Sequence, residues 1–291
     1  MRLVVRSPYL LVALVSASLG AQAFDPVKTA TGWARMDKDG SITFFDPASR
    51  GLRTWMRDGG EIGAVSLARL EDRPEKWAVD PYGNAWVVAG GQLYLVDGKS
   101  GKVSSKDRLP GDVSDIAWDP KGFVLCYQGA EPYLEKREYR SGSVIWSYGA
   151  KPRRGPGAAM QRIALGDEGQ IVLANGVGLP VTIIEGGKGK ATGQTAFSYK
   201  GLAAPDLLLG ESARGPMVFW SGRNLVFAAV TGRQVPEAKM SGLLLARMDM
   251  GQSAVDFVPT GLTEDHTLVG VQDGQAVFVK PGGGLAFVAV Q

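Results

Sequence analysis

Cysteine and histidine are almost missing from this chain: Cys126 and His266 are the single examples of each in 291 residues. One cysteine excludes an internal disulfide framework, and one histidine excludes a multi-histidine zinc site. Cys126 lies within the apolar run Phe123-Val124-Leu125-Cys126-Tyr127, so it reads as a small buried hydrophobe and not as a reactive thiol. His266 follows Glu264-Asp265 and reads as a turn residue. An excess of charge of one sign is also lacking. With 32 Lys and Arg against 29 Asp and Glu, no global field draws the chain to nucleic acid or to an anionic membrane. After position 23 no apolar run is long enough to span a bilayer, and no stretch keeps a 3.6-residue apolar period. These absences point to an all-β chain.

The N-terminal positions have an address written in them. Positions 1–23 hold Arg2 and Arg6, an apolar run from Tyr9 through Leu19, and the small-x-small triplet Ala21-Gln22-Ala23. That is the pattern of a secretory signal peptide, with cleavage predicted before Phe24. Without Arg2 and Arg6 the formal charge falls from +3 to +1. The mature chain, 24–291, is expected to be one domain, periplasmic or secreted, with no cysteine behind the signal peptide to carry a lipid.

Glycine, in contrast, is abundant, and 40 glycines punctuate short strands. The clearest unit is 76–107, which reads as four strands and three turns. Trp77 to Val79 is a first strand, and Asp80-Pro81-Tyr82-Gly83 places Asp, Pro and Gly where a type I turn prefers them. Asn84 to Val88 and Gln92 to Val96 follow as aromatic and β-branched strands. Asp97-Gly98-Lys99-Ser100-Gly101 then leads to a polar outer strand, Lys102 to Lys106.

A hydrophobic strand, an acidic or small residue and a Gly-bearing turn recur along the chain, ending at Gly51, Gly101, Gly142, Gly189, Gly232 and Gly284. The intervals of 50, 41, 47, 43 and 52 residues suit four-stranded propeller blades. Asp119-Pro120-Lys121-Gly122 repeats the Asp80 turn, with weaker versions at Gly166 to Gly169 and Glu211 to Gly215. The expectation is an all-β, six-bladed β-propeller of four-stranded blades. Gly32 to Met36, Ser41 to Phe45 and Leu52 to Met56 give blade one only three strands. The C-terminal strand, Leu285 to Val290, is therefore expected to close the ring, and deleting the last six residues should destabilise it.

The pattern W-A-V-D-P-x-G-N-x-W-V, followed by L-Y-L-V-D-x-x-S-G-K, resembles the NHL, YVTN and quinoprotein-like propeller repeats of exported bacterial proteins. The resemblance implies the fold over most of 31–291. It leaves function open among lyases, lactonases, quinone-dependent dehydrogenases and scaffolds. Lyases and lactonases of this shape use His, Asp, Asn or Glu clusters on the ring axis, and the sequence offers no matching cluster. No cofactor is expected.

Other motifs resolve into turns. Leu208-Leu209-Gly210-Glu211-Ser212-Ala213, with Asp256 and His266 behind it, follows the hydrolase order. However, Arg214 stands where a nucleophile elbow needs Gly, and Pro216 to Trp220 reads as strand where a helix is required. Asp37-Lys38-Asp39-Gly40-Ser41 resembles part of a calcium loop but reads as a hairpin turn, since Arg35 falls at the first ligand position. Gly186-Gly187-Lys188-Gly189-Lys190 lacks P-loop spacing.

In a propeller the turns between strands one and two and between strands three and four leave on one face. The Asp-Pro-x-Gly and Asp-x-x-x-Gly signals are expected to share that face as structural turns. The opposite face, made of inter-blade loops and strand two-to-three turns, is where binding is expected. Its long loops are 58–75, with Glu71-Asp72-Arg73-Pro74, and 148–161. The second carries Lys151, Arg153 and Arg154, cations suited to a carboxylate, a phosphate or an acidic partner. Arg108, Asp112, Glu131, Asn175 and Trp220 with Arg223 are further candidates, Trp220 as a stacking platform or a core residue. The expected function is an exported binding or scaffolding module that engages a protein or an anionic small molecule. The alternative is a lyase or lactonase with a metal in the axial channel.

Overall fold

A computed structural model describes residues 34–152, 160–174, 180–199, 202–203, 215–280 and 284–290. The signal-peptide segment, Arg153, Arg154, Asn175 and the 208–213 motif lie outside these residues. Six small antiparallel sheets form a ring, a six-bladed β-propeller, and Ser198–Tyr199 pairs with Leu202–Ala203 as a separate two-stranded piece.

Four blades, two to five, have four strands each in plain up-and-down order. Blade two is Lys76–Val79, Ala85–Ala89, Gln92–Val96 and Val103–Arg108. Blade three is Val113–Asp119, Gly122–Tyr127, Tyr133–Arg137 and Val144–Gly149. Blade four is Arg162–Leu165, Ile171–Ala174, Val181–Glu185 and Lys190–Thr195. Blade five runs through Val218–Trp220, Leu225–Thr231, Leu243–Asp249 and Ala254–Pro259, and blade six through Thr267–Gln272, Gln275–Val279 and Leu285–Ala289. Blade one contains Ser41–Asp46, Gly51–Met56 and Glu61–Ser66, with Met36 bridged to Ile42 as a rudimentary inner strand.

The ring closes between the two ends of the chain, as expected, but by a different contact. Leu285–Ala289 pairs with Gln275–Val279 inside its own sheet. The junction is made by the Met36 N–H, which donates to Val269 O at 2.8 Å, and by Ala34, Ile42 and Phe44 packed on Val269, Val277 and Val279. The strand missing from blade one was also in plain sight. Glu61–Ser66, within the 58–75 stretch read as a loop, is its outer strand. Its solvent-facing sequence Glu-Ile-Gly-Ala-Val-Ser has too weak an alternation to announce a strand.

The apolar residues do not form one central core. Among the described residues six buried clusters occur, one between each pair of neighbouring blades. Second strands such as Ala85–Ala89 and Gly122–Tyr127 are buried on both faces and read as continuous apolar runs, while outer strands such as Val103–Arg108 are largely exposed. Tryptophan indoles tie blades together through directed hydrogen bonds. Trp77 Nε1 donates to Thr43 O, Trp86 Nε1 to Tyr139 O and Trp146 Nε1 to Gly186 O, at 3.3, 3.1 and 2.9 Å.

The D-P-x-G-N turn explains itself residue by residue. Asp80 Oδ1 accepts from the N–H groups of Tyr82 and Asn84, and Gly83 takes a φ of +82°, which a side chain disfavours. Asn84 Oδ1 then accepts the Gly98 N–H at 3.2 Å, joining this turn to the strand three-to-four turn beside it. The two turn types share a face in blades two, three and four. The glycine markers at Gly51, Gly232 and Gly284, however, fall between second and third strands and so lie on the opposite face. The Glu211 to Gly215 signal precedes the inner strand of blade five; Ser221–Arg223 and Asn224 make the turn that follows that strand.

Candidate functional site

The innermost strands line the axis, and each of the first four blades places a charged side chain there. They are Arg35, Lys76, Asp115 and Arg162. Arg35 and Asp115 are 8% and 3% exposed. One Arg35 amino group reaches both Asp115 oxygens at 3.0 and 3.1 Å and Ile163 O at 3.1 Å; the other donates to Met217 O at 3.1 Å. Asp115 also accepts the N–H groups of Ile116 and Ile163 at 2.9 and 3.0 Å. One ion pair thus joins blades one, three, four and five across the axis and divides the channel into two mouths.

Lys76 and Arg162 begin their strands, so they stand at the mouth on the inter-blade loop face. Burial pulls the pKa of each below its ordinary value, and the nearby Asp115 offsets part of that. Arg162 donates to Gly215 O. Among the described residues the channel thus gathers Arg35, Lys76 and Arg162 around Asp115, which Arg35 already engages, while Glu75 also acts on Lys76 from outside. Glu75, the acid next in sequence, is exposed and accepts the Gly90 N–H. The arrangement favours an incoming anion by relieving two half-desolvated cations at once.

Of the residues proposed from sequence, Lys151, Arg108 and Glu131 are exposed on this same loop face. Pro152, next to Lys151, packs between the loops that carry Gly111 and Gly129. A β-carbon on Gly111 would stand 2.8 Å from the Pro152 ring, and one on Gly129 3.7 Å from it. Gln161 closes the base of that loop by donating to Gly129 O at 3.3 Å. Arg153 and Arg154 lie outside the described residues. Trp220 and Arg223 are elsewhere. Trp220 ends the inner strand of blade five and Arg223 lies in the turn after it, on the turn face, because that strand is first in its blade where the sequence reading made it second. The two touch each other, with the Arg223 guanidinium 5.8 Å from the Trp220 ring centroid.

The axial residues Lys76, Asp115 and Arg162 escaped the sequence reading. Their signal is a lone charge inside or at the head of a short apolar strand opening each blade, as in Lys-Trp-Ala-Val and Arg-Ile-Ala-Leu. It becomes visible only once the strands are phased. His266 is half-buried in its turn, with Nδ1 3.0 Å from Thr263 Oγ1. Asp37 to Gly40 is a tight turn, with Gly40 at φ +84°. Among the described residues no three His, Cys, Asp or Glu side chains gather as a metal site, and no helix is long and apolar enough to cross a membrane.

No protein-family model and no curated protein sequence matches the chain. Solved structures do. A virginiamycin B lyase from Staphylococcus aureus superposes with a TM-score of 0.52 at 10% identity, over 92% of this chain and 87% of that one. A luciferin-regenerating enzyme gives 0.56 at 10% identity, over 93% and 94%. A nidogen/laminin complex gives 0.53 at 10% identity, over 83% and 84%. These neighbours share the propeller fold and span enzymes and a protein-binding module, so the likeness establishes architecture alone.

Proposed function

We propose that this protein is an exported binding propeller that receives an anionic group at the loop-face mouth of its axial channel. The group is a carboxylate or phosphate, carried by a small molecule or by a partner protein. The observation that carries this reading is the placing of two half-buried cations, Lys76 and Arg162, at one mouth beside an Asp115 that Arg35 already engages. Lys151, exposed on the same face, and the Arg153 and Arg154 that follow it in sequence are the cations proposed to steer an acidic ligand toward this mouth. The N-terminal pattern supports a periplasmic or secreted setting. The metal-dependent lyase or lactonase alternative gains no residue set from the described part of the chain.

The test is thermal unfolding of the mature protein in citrate, phosphate and chloride at matched ionic strength. A ligand that binds only the folded state raises the melting temperature with concentration. Citrate or phosphate should do so in the parent and fail to do so in Lys76→Gln/Arg162→Gln. Equal melting temperatures in all three salts for the parent would refute the reading.

A further inference from the structure

The other mouth of the channel, on the turn face, has the opposite character. A cavity of about 220 Å³ opens there, walled by Trp118, Phe219 and Trp220. A second cavity of about 480 Å³ continues it outward, and the two share Asp37, Lys38 and Trp118. The second is a trough between blade one and Val79 to Pro81 of blade two. Its floor explains why it is open. Thr43 is paired with Thr54 and Thr54 with Gly63, so the three form one cross-strand row on the face of blade one. Small residues leave that row unfilled, and a β-carbon on Gly63 would meet nothing within 4 Å. From the inner strand to the outer one the trough spans three strand spacings, about 14 Å. Ile62, 56% exposed, stands at its outer end.

The charges along this path are unequal. Asp119 and Asp273 are paired with Lys136 and Arg57, and Arg35 with Asp115. Among the described residues no Lys or Arg pairs with the carboxylates of Asp37, Asp39, Asp80 or Asp167. Neutral donors hold these instead. Asp37 accepts from Trp118 Nε1, Asp39 from the Ser41 N–H, Asp80 from the Tyr82 N–H and Asp167 from Ser221 Oγ, each at 2.8 Å. Such bonds solvate a carboxylate without cancelling its charge. Lys38 is the opposing cation, and its Nζ is turned onto Asp167 O at 2.8 Å. Tyr139, in the trough wall, feels the excess: burial first, then Asp119, Asp37 and Asp80, push its hydroxyl above the ordinary pKa.

A single metal ion does not suit this arrangement, since among the described residues no three acidic side chains gather at one point. Carboxylates spread along a narrow trough suit positive charge spread along a chain, and the Trp118 ring at the join attracts a cation to its face. We propose that the turn-face path binds a linear aliphatic polyamine, with one ammonium near Asp37 and Asp167 beside Trp118, another near Asp39, and its methylenes laid over Gly63. The Arg35–Asp115 pair lies between this path and the anionic mouth, so the two sites are independent.

Calorimetric titration of the mature protein with spermidine, putrescine and butylamine tests this, with magnesium chloride at matched ionic strength as competitor. One saturable site, tightest for spermidine and weakest for butylamine, is the expected result. Gly63→Phe should remove it by filling the trough. That variant should melt no lower than the parent, because the position is open and Phe suits a strand better than Gly. It should also leave the citrate response of the opposite mouth unchanged. Asp37→Asn, which keeps an oxygen for the Trp118 indole, should weaken spermidine about tenfold, the loss of one charge-assisted contact. No saturable site, equal competition by magnesium, butylamine binding as tightly as spermidine, or unchanged affinity in either variant would overturn the proposal.

Discussion

At the scale of single residues the molecule depends on a few buried polar atoms. Asp115 and Arg35 satisfy backbone groups from several blades as well as each other. Removing one partner leaves a buried charge without compensation, which costs about 3–5 kcal/mol. Asp115→Asn and Arg35→Met should each lower the unfolding free energy measured by urea denaturation by an amount in that range. The double variant Arg35→Met/Asp115→Leu should recover part of the loss, because no charge is then stranded. Cys126 supplies a second prediction. Its side chain is fully buried, and burial pushes the thiol far above its ordinary value, so thiolate is essentially absent at neutral pH. A thiol reagent should label it only as fast as the protein unfolds, and rapid labelling of the native protein would contradict the packing described here. Cys126 was legible as a buried residue from its apolar neighbours, whereas Arg35 and Asp115 were not, since their pairing joins positions eighty residues apart.

At the scale of elements, the recurring glycine does two jobs. Gly142 and Gly189 close strand three-to-four turns at φ +73° and +65°, which alone favours glycine. Each also abuts a tryptophan of the preceding blade. A β-carbon on Gly142 would stand 2.6 Å from the Trp86 ring, and one on Gly189 2.5 Å from Trp146. Gly142→Ala should therefore cost about 2 kcal/mol or more, strain and overpacking together. Gly83→Ala, where nothing lies within 4 Å, should cost only the φ penalty of about 1 kcal/mol. Chemical denaturation of the pair separates the two contributions. The turn chemistry was readable because Asp, Pro, Asn and Gly act locally. Strand phase was not, because an acidic residue followed by a glycine caps a second-to-third turn as well as a third-to-fourth one. That ambiguity put Trp220 and Arg223 on the wrong face and gave the inner strand of blade five the wrong place in its blade.

For the whole molecule, stability is spread over six inter-blade clusters, so the ring is only as strong as its closing junction. Deleting the last six residues removes most of the third strand of blade six and the buried Val290. The truncated protein should lose its cooperative transition or melt well below the parent in calorimetry. The central claim is that the loop-face mouth holds an anion between Lys76 and Arg162, near Arg35 and Asp115 and with exposed Glu75 alongside. Burial lowers the Lys76 pKa below 10.5. Lys76 therefore loses its charge earlier than a surface lysine as pH rises, and anion affinity falls with it. Calorimetric titration of citrate into the mature protein from neutral to alkaline pH tests this most directly. One site, weakening before a free lysine would titrate and lost in Lys76→Gln/Arg162→Gln, is the predicted result. No binding heat, or binding unchanged in that variant, would contradict it.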